Sequence, residues 1–302
     1  YEIQASDWSS DVCSSDLINI TDAATSTTNN VAVQVAHAGQ TNSALVLSPQ
    51  GAGALIIGPV PTGSSTTGNA RGANSFDGQT QRNAAAQVAS GTESVALGSY
   101  STASGARAVA IGYGVTSSGT ASTAVGGFGT ASGDYSFTGG FTSTATAAYS
   151  AAFGAYASAT HRGEVAFAGG RRSVNGDAQT STATAYVSTS GNTATEAFLD
   201  GTSAKLTVPS GQALLVRVSV VAKQASSANV YGAERRFLIV NNGGTTALDG
   251  SVQTVGTDFN TPAWGGITIT ADNTTDYAKF EVTGASATTI YWVISIYWTV
   301  VG

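Results

Sequence analysis

The chain has 302 residues, of which 12 are Lys or Arg and 18 are Asp or Glu, with 37 Gly, one Cys and no Met. Its 42% apolar content and formal net charge of -6 are too aliphatic and too weakly charged for a disordered Gly/Ser/Thr polymer, and its small side chains suit a repetitive lattice better than one large core. The scarcity of basic residues argues against nucleic acid as a partner, because phosphate neutralisation needs a positive patch, and no run approaches the ~18 apolar residues of a membrane-crossing helix.

In chain order, residues 1–17 stand apart. Asp7 to Leu17 reads DWSSDVCSSDL, like an in-frame translation of a sequencing-adapter oligonucleotide, and it is set aside from fold reasoning. The segment 1–17 holds the single cysteine, Cys13, and four acidic residues, so the remainder has 12 basic against 14 acidic groups, a net charge of -2. No cofactor or metal is expected, and a start at Tyr1 rather than Met places the expected natural N-terminus upstream.

Residues 18–88 read as a β-rich connector. Two apolar segments, VAVQVAHAG and SALVLSPQGAGALIIGPV, predict strands, a Ser/Thr/Gly stretch at 62–69 predicts an irregular link, and 80–88 admits a short helix.

From Ala89 the chain divides every fourteen residues without insertion or deletion: ASGTESVALGSYST, ASGARAVAIGYGVT, SSGTASTAVGGFGT, ASGDYSFTGGFTST, ATAAYSAAFGAYAS and ATHRGEVAFAGGRR. The seventh and ninth places alternate with small residues, the period-two pattern of a strand. They supply the expected repeat core: Val95, Leu97, Val109, Ile111, Val125, Phe137, Phe153, Val165 and Phe167. Glycine at the tenth place predicts close approach of another backbone, and Gly91, Gly105, Gly119 and Gly133 at the third predict a turn with positive φ. Stacked at ~4.8 Å per coil, six units make a rod of only ~29 Å. Two core residues per coil cannot offset the entropy of ordering fourteen residues, at ~1 to 2 kcal/mol each for the backbone. Neighbouring copies are therefore expected to cover the roll, making a homotrimer or similar assembly.

The phrases SVALG, AVAIG and TAVGG with intervening ASG resemble the head repeats of trimeric autotransporter adhesins, over 89 to about 170. That resemblance implies a left-handed parallel β-roll in an elongated, intertwined trimer. GNARGANSFDGQTQRNAAAQVASG resembles the segment that leads into such rolls in phage tail fibres.

Residues 173–302 lose the fourteen-residue beat. The segments AKLTVPSG, ALLVRVSVVAKQ, RRFLIVNN, GGITITAD, AKFEVTG and TTIYWVISIYWTV predict six strands of an antiparallel β-sandwich knob. Ile290, Trp292, Ile294, Ile296, Trp298 and Val300 share one parity, as do Leu214, Val216, Val218 and Val220, so one face of each is core. FLDGTSAKLTVPSG and ADNTTDYAKFEVTG resemble the C-terminal knobs of phage fibres. The expected organisation is thus an all-β fold in four parts: 1–17, 18–88, the roll over 89–172, and the knob over 173–302.

Candidate chemistry is sparse. His161, beside Arg162 and near Glu164, fits either an acid–base or metal role or, as expected for a lone histidine in a turn, a solvated polar residue. Glu93, Asp134 and Glu164 lie three and two coils apart, ~14 Å and ~10 Å at ~4.8 Å per coil, beyond the roughly 5 to 9.5 Å of glycosidase pairs within one chain. Thr102, Thr116, Thr130 and Thr144 make a row that suits an ice-binding face or, more simply, hydroxyls capping turns. No catalytic residue is assigned, and the chain is expected not to be an enzyme. Sugars stack on exposed aromatics and hydrogen-bond to amides and carboxylates, so Tyr231, Asp258, Asn260 and Trp264 are the candidate receptor contacts, with burial in the core as their alternative. The expected activity is attachment of a phage tail fibre in the virion to a host-surface glycan or protein, without membrane insertion. A bacterial surface adhesin is the alternative, with a glycan depolymerase and an ice-binding solenoid behind it. A coiled-coil stalk and anchor would mark the autotransporter class, and the sequence to Gly302 shows no heptads.

Overall fold

The computed structural model describes residues 53–58, 60–260 and 264–302. The chain divides into Tyr1–Ser48 and Pro49–Gly302, and all that follows concerns the second unit. The strand expected in VAVQVAHAG lies outside the described residues. Every described element is a strand. No described helix is long and apolar enough to cross a membrane.

The first strands are β1 (Leu55–Ile57) and β2 (Phe76–Gln81). The repeat follows as a two-strand coil used five times, with a sixth coil that has the long strand alone. Its long strands are β3 (Val95–Ser99), β5 (Val109–Tyr113), β7 (Thr123–Gly127), β9 (Phe137–Phe141), β11 (Ala151–Ala155) and β13 (Val165–Gly169). Between them lie two-residue strands, β4 (Thr102–Ala103), β6 (Thr116–Ser117), β8 (Thr130–Ala131), β10 (Thr144–Ala145) and β12 (Ser158–Ala159). Both sets pair in parallel, and Val95, Val109, Thr123, Phe137, Ala151 and Val165 stack one on the next in register. The fourteen-residue period is therefore one turn of a β-solenoid. The parallel stack starts before Ala89, since β1 pairs with β2 and Phe76 pairs with Val95. Strand β2 occupies Thr80 and Gln81, and no described part of 80–88 is helical.

The expected repeat core is inverted. The lumen is lined by the eighth-place residues Ala96, Ala110, Ala124, Thr138, Ala152 and Ala166, all fully buried or nearly so. Val95, Leu97, Val109, Phe137, Phe153 and Val165 are only half-buried on the outer face, where Ile111 is 38%, Val125 37% and Phe167 52% exposed. A coil of fourteen residues closes too tightly for branched side chains at both walls, so alanine and serine side chains, with Val115, fill the interior and the larger groups of the long strands point out.

The glycines serve the stacking. A Cβ at Gly112 would stand 2.0 Å from the carbonyl oxygen of Gly126 in the next coil, and φ there is +136°. Third-place glycines, expected at positive φ, do not adopt it. At Gly91 the constraint is close approach, since a Cβ would lie 1.9 Å from the Gly105 oxygen. The left-handed turn conformation falls instead on residues such as Glu93, Arg107, Tyr135 and Tyr149 at the fifth place.

Beyond the roll the strands are β14 (Ala178–Thr189), β15 (Thr195–Glu196), β16 (Leu206–Thr207), β17 (Ala213–Gln224), β18 (Val230–Asn241), β19 (Thr246–Leu248), β20 (Gln253–Thr254), β21 (Phe259–Asn260), β22 (Gly266–Asp272), β23 (Tyr277–Thr283) and β24 (Ile290–Val301). Strand β14 runs antiparallel to the last coil and joins it to β24, β17, β18 and β19, so the roll and the C-terminal region share one sheet. Strands β15, β16 and β22 pair with β23 in a second antiparallel sheet. Leu214, Val216, Val218, Val220 and Ile290, Trp292, Ile294, Ile296, Trp298 of the first sheet pack with Leu206, Ile269, Phe280 and Val282 of the second in one core. Row by row, Ala166 pairs with Ser181, Ser181 with Trp298, and Trp298 with Val216, all buried. The inward face of the long roll strands thus continues, through Ser181, onto the face that carries the C-terminal core.

Candidate receptor groove on the C-terminal sheet

Two of the four expected receptor contacts are interior residues, which corrects their placement on the surface. Trp264 is buried with its ring 5.8 Å from that of Trp292, and Tyr231 is buried with its ring 5.6 Å from the same tryptophan. Neither offers a ring face to a sugar. The large apolar area of both rings is worth more inside the core than in a solvated loop.

Asp258 has a structural task. Its Oδ1 and Oδ2 each accept from Arg235 at 2.6 Å, through Nη1 and Nη2, and the Tyr231 hydroxyl donates to Oδ2 at 3.0 Å. The bidentate geometry is the strong form of this pair. The Arg235 guanidinium holds the Asp258 carboxyl below its usual range, against partial burial, and is itself held more firmly protonated. Burial, reinforced by the Asp258 carboxylate, pushes the Tyr231 phenol up to about 12. Asn260 pairs with Tyr231 through β21, and its side chain lies outside the described part.

This clamp presents Phe259, a residue the sequence reading passed over although it lies between two candidates. Its backbone pairs with Gly232, its ring lies over that glycine, and it is 79% exposed. Beside it Val221, Gly232, Glu234, Val255 and Thr257 line an open groove of about 320 Å³. Glu234 also accepts from Arg217 Nη2 at 2.6 Å on the exposed rim. An aromatic ridge with a carboxylate and a guanidinium beside it can stack on a pyranose and hydrogen-bond its hydroxyls. The one legible signal was a large aromatic in the polar string Thr257–Asp258–Phe259–Asn260.

The region of His161 also differs from expectation. His161 is buried, with Nδ1 2.8 Å from Glu164 Oε2 and Nε2 3.0 Å from both the carbonyl oxygen and Oγ1 of Thr207. Its ring meets Trp298 edge-on at 5.8 Å. Glu164 Oε2 accepts from the backbone N–H groups of Thr160 and His161, and Gln179 Nε2 donates to Oε1 at 3.3 Å. Burial alone would raise the Glu164 pKa, but the His161 hydrogen bond and charge and the further hydrogen bonds bring it below the ordinary value. A cavity of about 210 Å³ opens beside this pair, walled by Gln179, Gln212, Leu214 and Trp298. Among the described residues no group of three or more His, Cys, Asp or Glu could hold a metal ion. Asp134 accepts from the Thr120 N–H at 2.8 Å, bracing adjacent coils.

These features stand on a recognisable repeat. The first two coils are similar to the YadA head domain repeat. That family's model matches residues 89–114 in two copies. None of the curated proteins matches the chain. Among solved structures, the chain is similar to a tailspike protein of Acinetobacter baumannii bacteriophage Fri1, a capsular polysaccharide depolymerase, at 12% identity and a TM-score of 0.24. The match covers 79% of this chain and 42% of that one, so this chain spans less than half of that protein. The expectation that the chain is not an enzyme is corrected on this finding alone: the tailspike it is matched to is described as a capsular polysaccharide depolymerase. A likeness at that TM-score gives this chain neither catalytic residues nor a substrate.

Proposed function

We propose that the chain is a segment of an extracellular adhesive fibre, of the phage tail-fibre kind, in which three copies pack through the outer face of the roll and the C-terminal sheets attach to a host-surface glycan. The observation that carries this reading is the Phe259 ridge and groove, held out on a sheet that runs unbroken into the solenoid. A backbone ladder shared by spacer and tip transmits load without a hinge, which suits a fibre under tension. YadA-type repeats in the first coils support the fibre reading. A bacterial surface adhesin uses the same physics and is the alternative, distinguished by where the native protein is found, virion or cell.

Binding of the purified chain to whole bacteria and to a glycan array tests the reading. Phe259→Ala is expected to weaken binding at least tenfold, about 1.4 kcal/mol or more, as truncation of an aromatic that becomes buried against its ligand does, and to leave the thermal midpoint unchanged. Equal binding by wild type and variant would remove the groove from the proposal. Release of new reducing ends from capsular polysaccharide, measured in parallel, would add cleavage to attachment.

A further inference from the structure

The face of the shared sheet that points away from the lumen continues past the roll. Val165 pairs with Thr182, Thr182 with Tyr297 and Tyr297 with Arg217, and paired residues project to the same side. On the roll the outward places are the seventh, ninth and eleventh of each coil, and none of them in six coils is charged. The same holds for the outward residues of β14, among them Thr182, Thr184 and Tyr186, and of β24, among them Tyr291, Val293, Tyr297 and Val301. Tyr291, Tyr297 and Val301 are each more than half exposed. The first charges on this face are Arg217 and Lys223 on β17.

We infer that the contact between copies extends beyond the roll across β14 and β24 and ends at the charged row of β17. This rests on the trimer proposed above and states where its interface runs. Area supports it. At ~4.8 Å between strands and ~3.3 Å per residue, the outer face of the six long roll strands covers only ~480 Å², and β14 with β24 adds ~380 Å². A stable specific interface takes ~800 Å² from each partner and each copy of a trimer faces two others, so the roll alone falls far short and β14 with β24 nearly double the face it can offer. A second copy is the occupant that fits, because the uncharged face of one copy matches those of its neighbours in length and pitch, and three such faces close around one axis.

The test is the mass of the full chain across a concentration series, by sedimentation or mass photometry, for wild type, Val109→Glu, Thr182→Lys, Tyr297→Lys and Lys223→Glu. The β-sheet circular dichroism of each variant serves as the folding control, and two substitutions on the C-terminal face guard against one misfolding. The expected result is a wild type of three times the chain mass, a dissociation midpoint raised at least tenfold by Val109→Glu, Thr182→Lys and Tyr297→Lys, and no shift with Lys223→Glu. If Val109→Glu dissociates the assembly and folded Thr182→Lys and Tyr297→Lys do not, the inference is overturned and the roll trimer stands. A shift with Lys223→Glu equal to the others overturns the boundary at β17, and a monomeric wild type at micromolar concentration overturns both readings.

Discussion

At the scale of single residues, the lumen of the roll is governed by volume and by polar satisfaction. Thr138 occupies the row in which its stacked neighbours are Ala124 and Ala152, and its Oγ1 is enclosed without a hydrogen-bond partner. An enclosed hydroxyl with no partner carries an uncompensated desolvation cost of about 1 to 3 kcal/mol. Thr138→Ala restores the pattern of the row, and the expected outcome is a gain of about 1 kcal/mol, read as a higher midpoint in urea at unchanged slope. A loss of stability would mean that the hydroxyl has a use not visible in its contacts. The parity of the repeat was legible in the sequence, because alternation places residues on two faces whatever lies beyond them. Which face is the lumen was not legible. Val95 and Ala96 differ in size in the direction an ordinary core would suggest, and only the width of a fourteen-residue coil reverses the assignment.

At the scale of elements, each end of the small-residue lumen holds a polar plug. In β2, Asp77 stands where the next coil has Ala96, and it receives Arg71 Nε at 2.6 Å and Arg82 Nη2 at 2.8 Å with all three side chains fully enclosed. In the last coil, Glu164 takes the sixth place, which in the earlier coils is Ser or Ala, and His161 the third, which is Gly or Ala. Glu164 has its pKa below the ordinary 4.5 in the folded chain. Its contribution is therefore fully present above pH 4.5 and is lost as the pH falls through the folded-state value. The stability difference between wild type and Glu164→Gln should be largest near neutrality and shrink on acidification below about pH 4.5, followed as thermal midpoints at matched ionic strength. A difference that grows on acidification would show that burial, which opposes ionisation, has won. The strands flanking these plugs were unequally legible. Strand β24 announces itself by Trp and Ile at every second place. Strand β14 went unread because its inward residues are Ser181, Ala183 and Ala185, too small to register as a hydrophobic alternation, although it is the strand that joins roll to C-terminal sheet.

At the scale of the whole described unit, the decisive fact is that solenoid and C-terminal core are not separate bodies joined by a linker. The period of fourteen and the run of alternating strands were each visible in the sequence, but their fusion was not, since it depends on one antiparallel pairing, Val165 with Thr182, between segments of unlike composition. A consequence follows for unfolding. Trp298 lies on the row that passes from Ala166 through Ser181 to Val216, and its ring also closes on His161 in the last coil. Removing so large a fully buried ring costs about 3 to 5 kcal/mol. If the sheet melts as a unit, Trp298→Ala lowers the stability of the roll as well as that of the C-terminal sheets. Tryptophan fluorescence reports the C-terminal core, through Trp264 and Trp292, and amide hydrogen exchange over the coils from Tyr100 to Tyr156 reports the roll. At one fixed chain concentration, which removes mass-action shifts, both signals are expected to move down together and remain superimposed. Two separated transitions, with the roll signal unmoved, would show that the pairing of β13 with β14 is too weak to couple them, and the uninterrupted path for load in the proposed fibre would be lost with it.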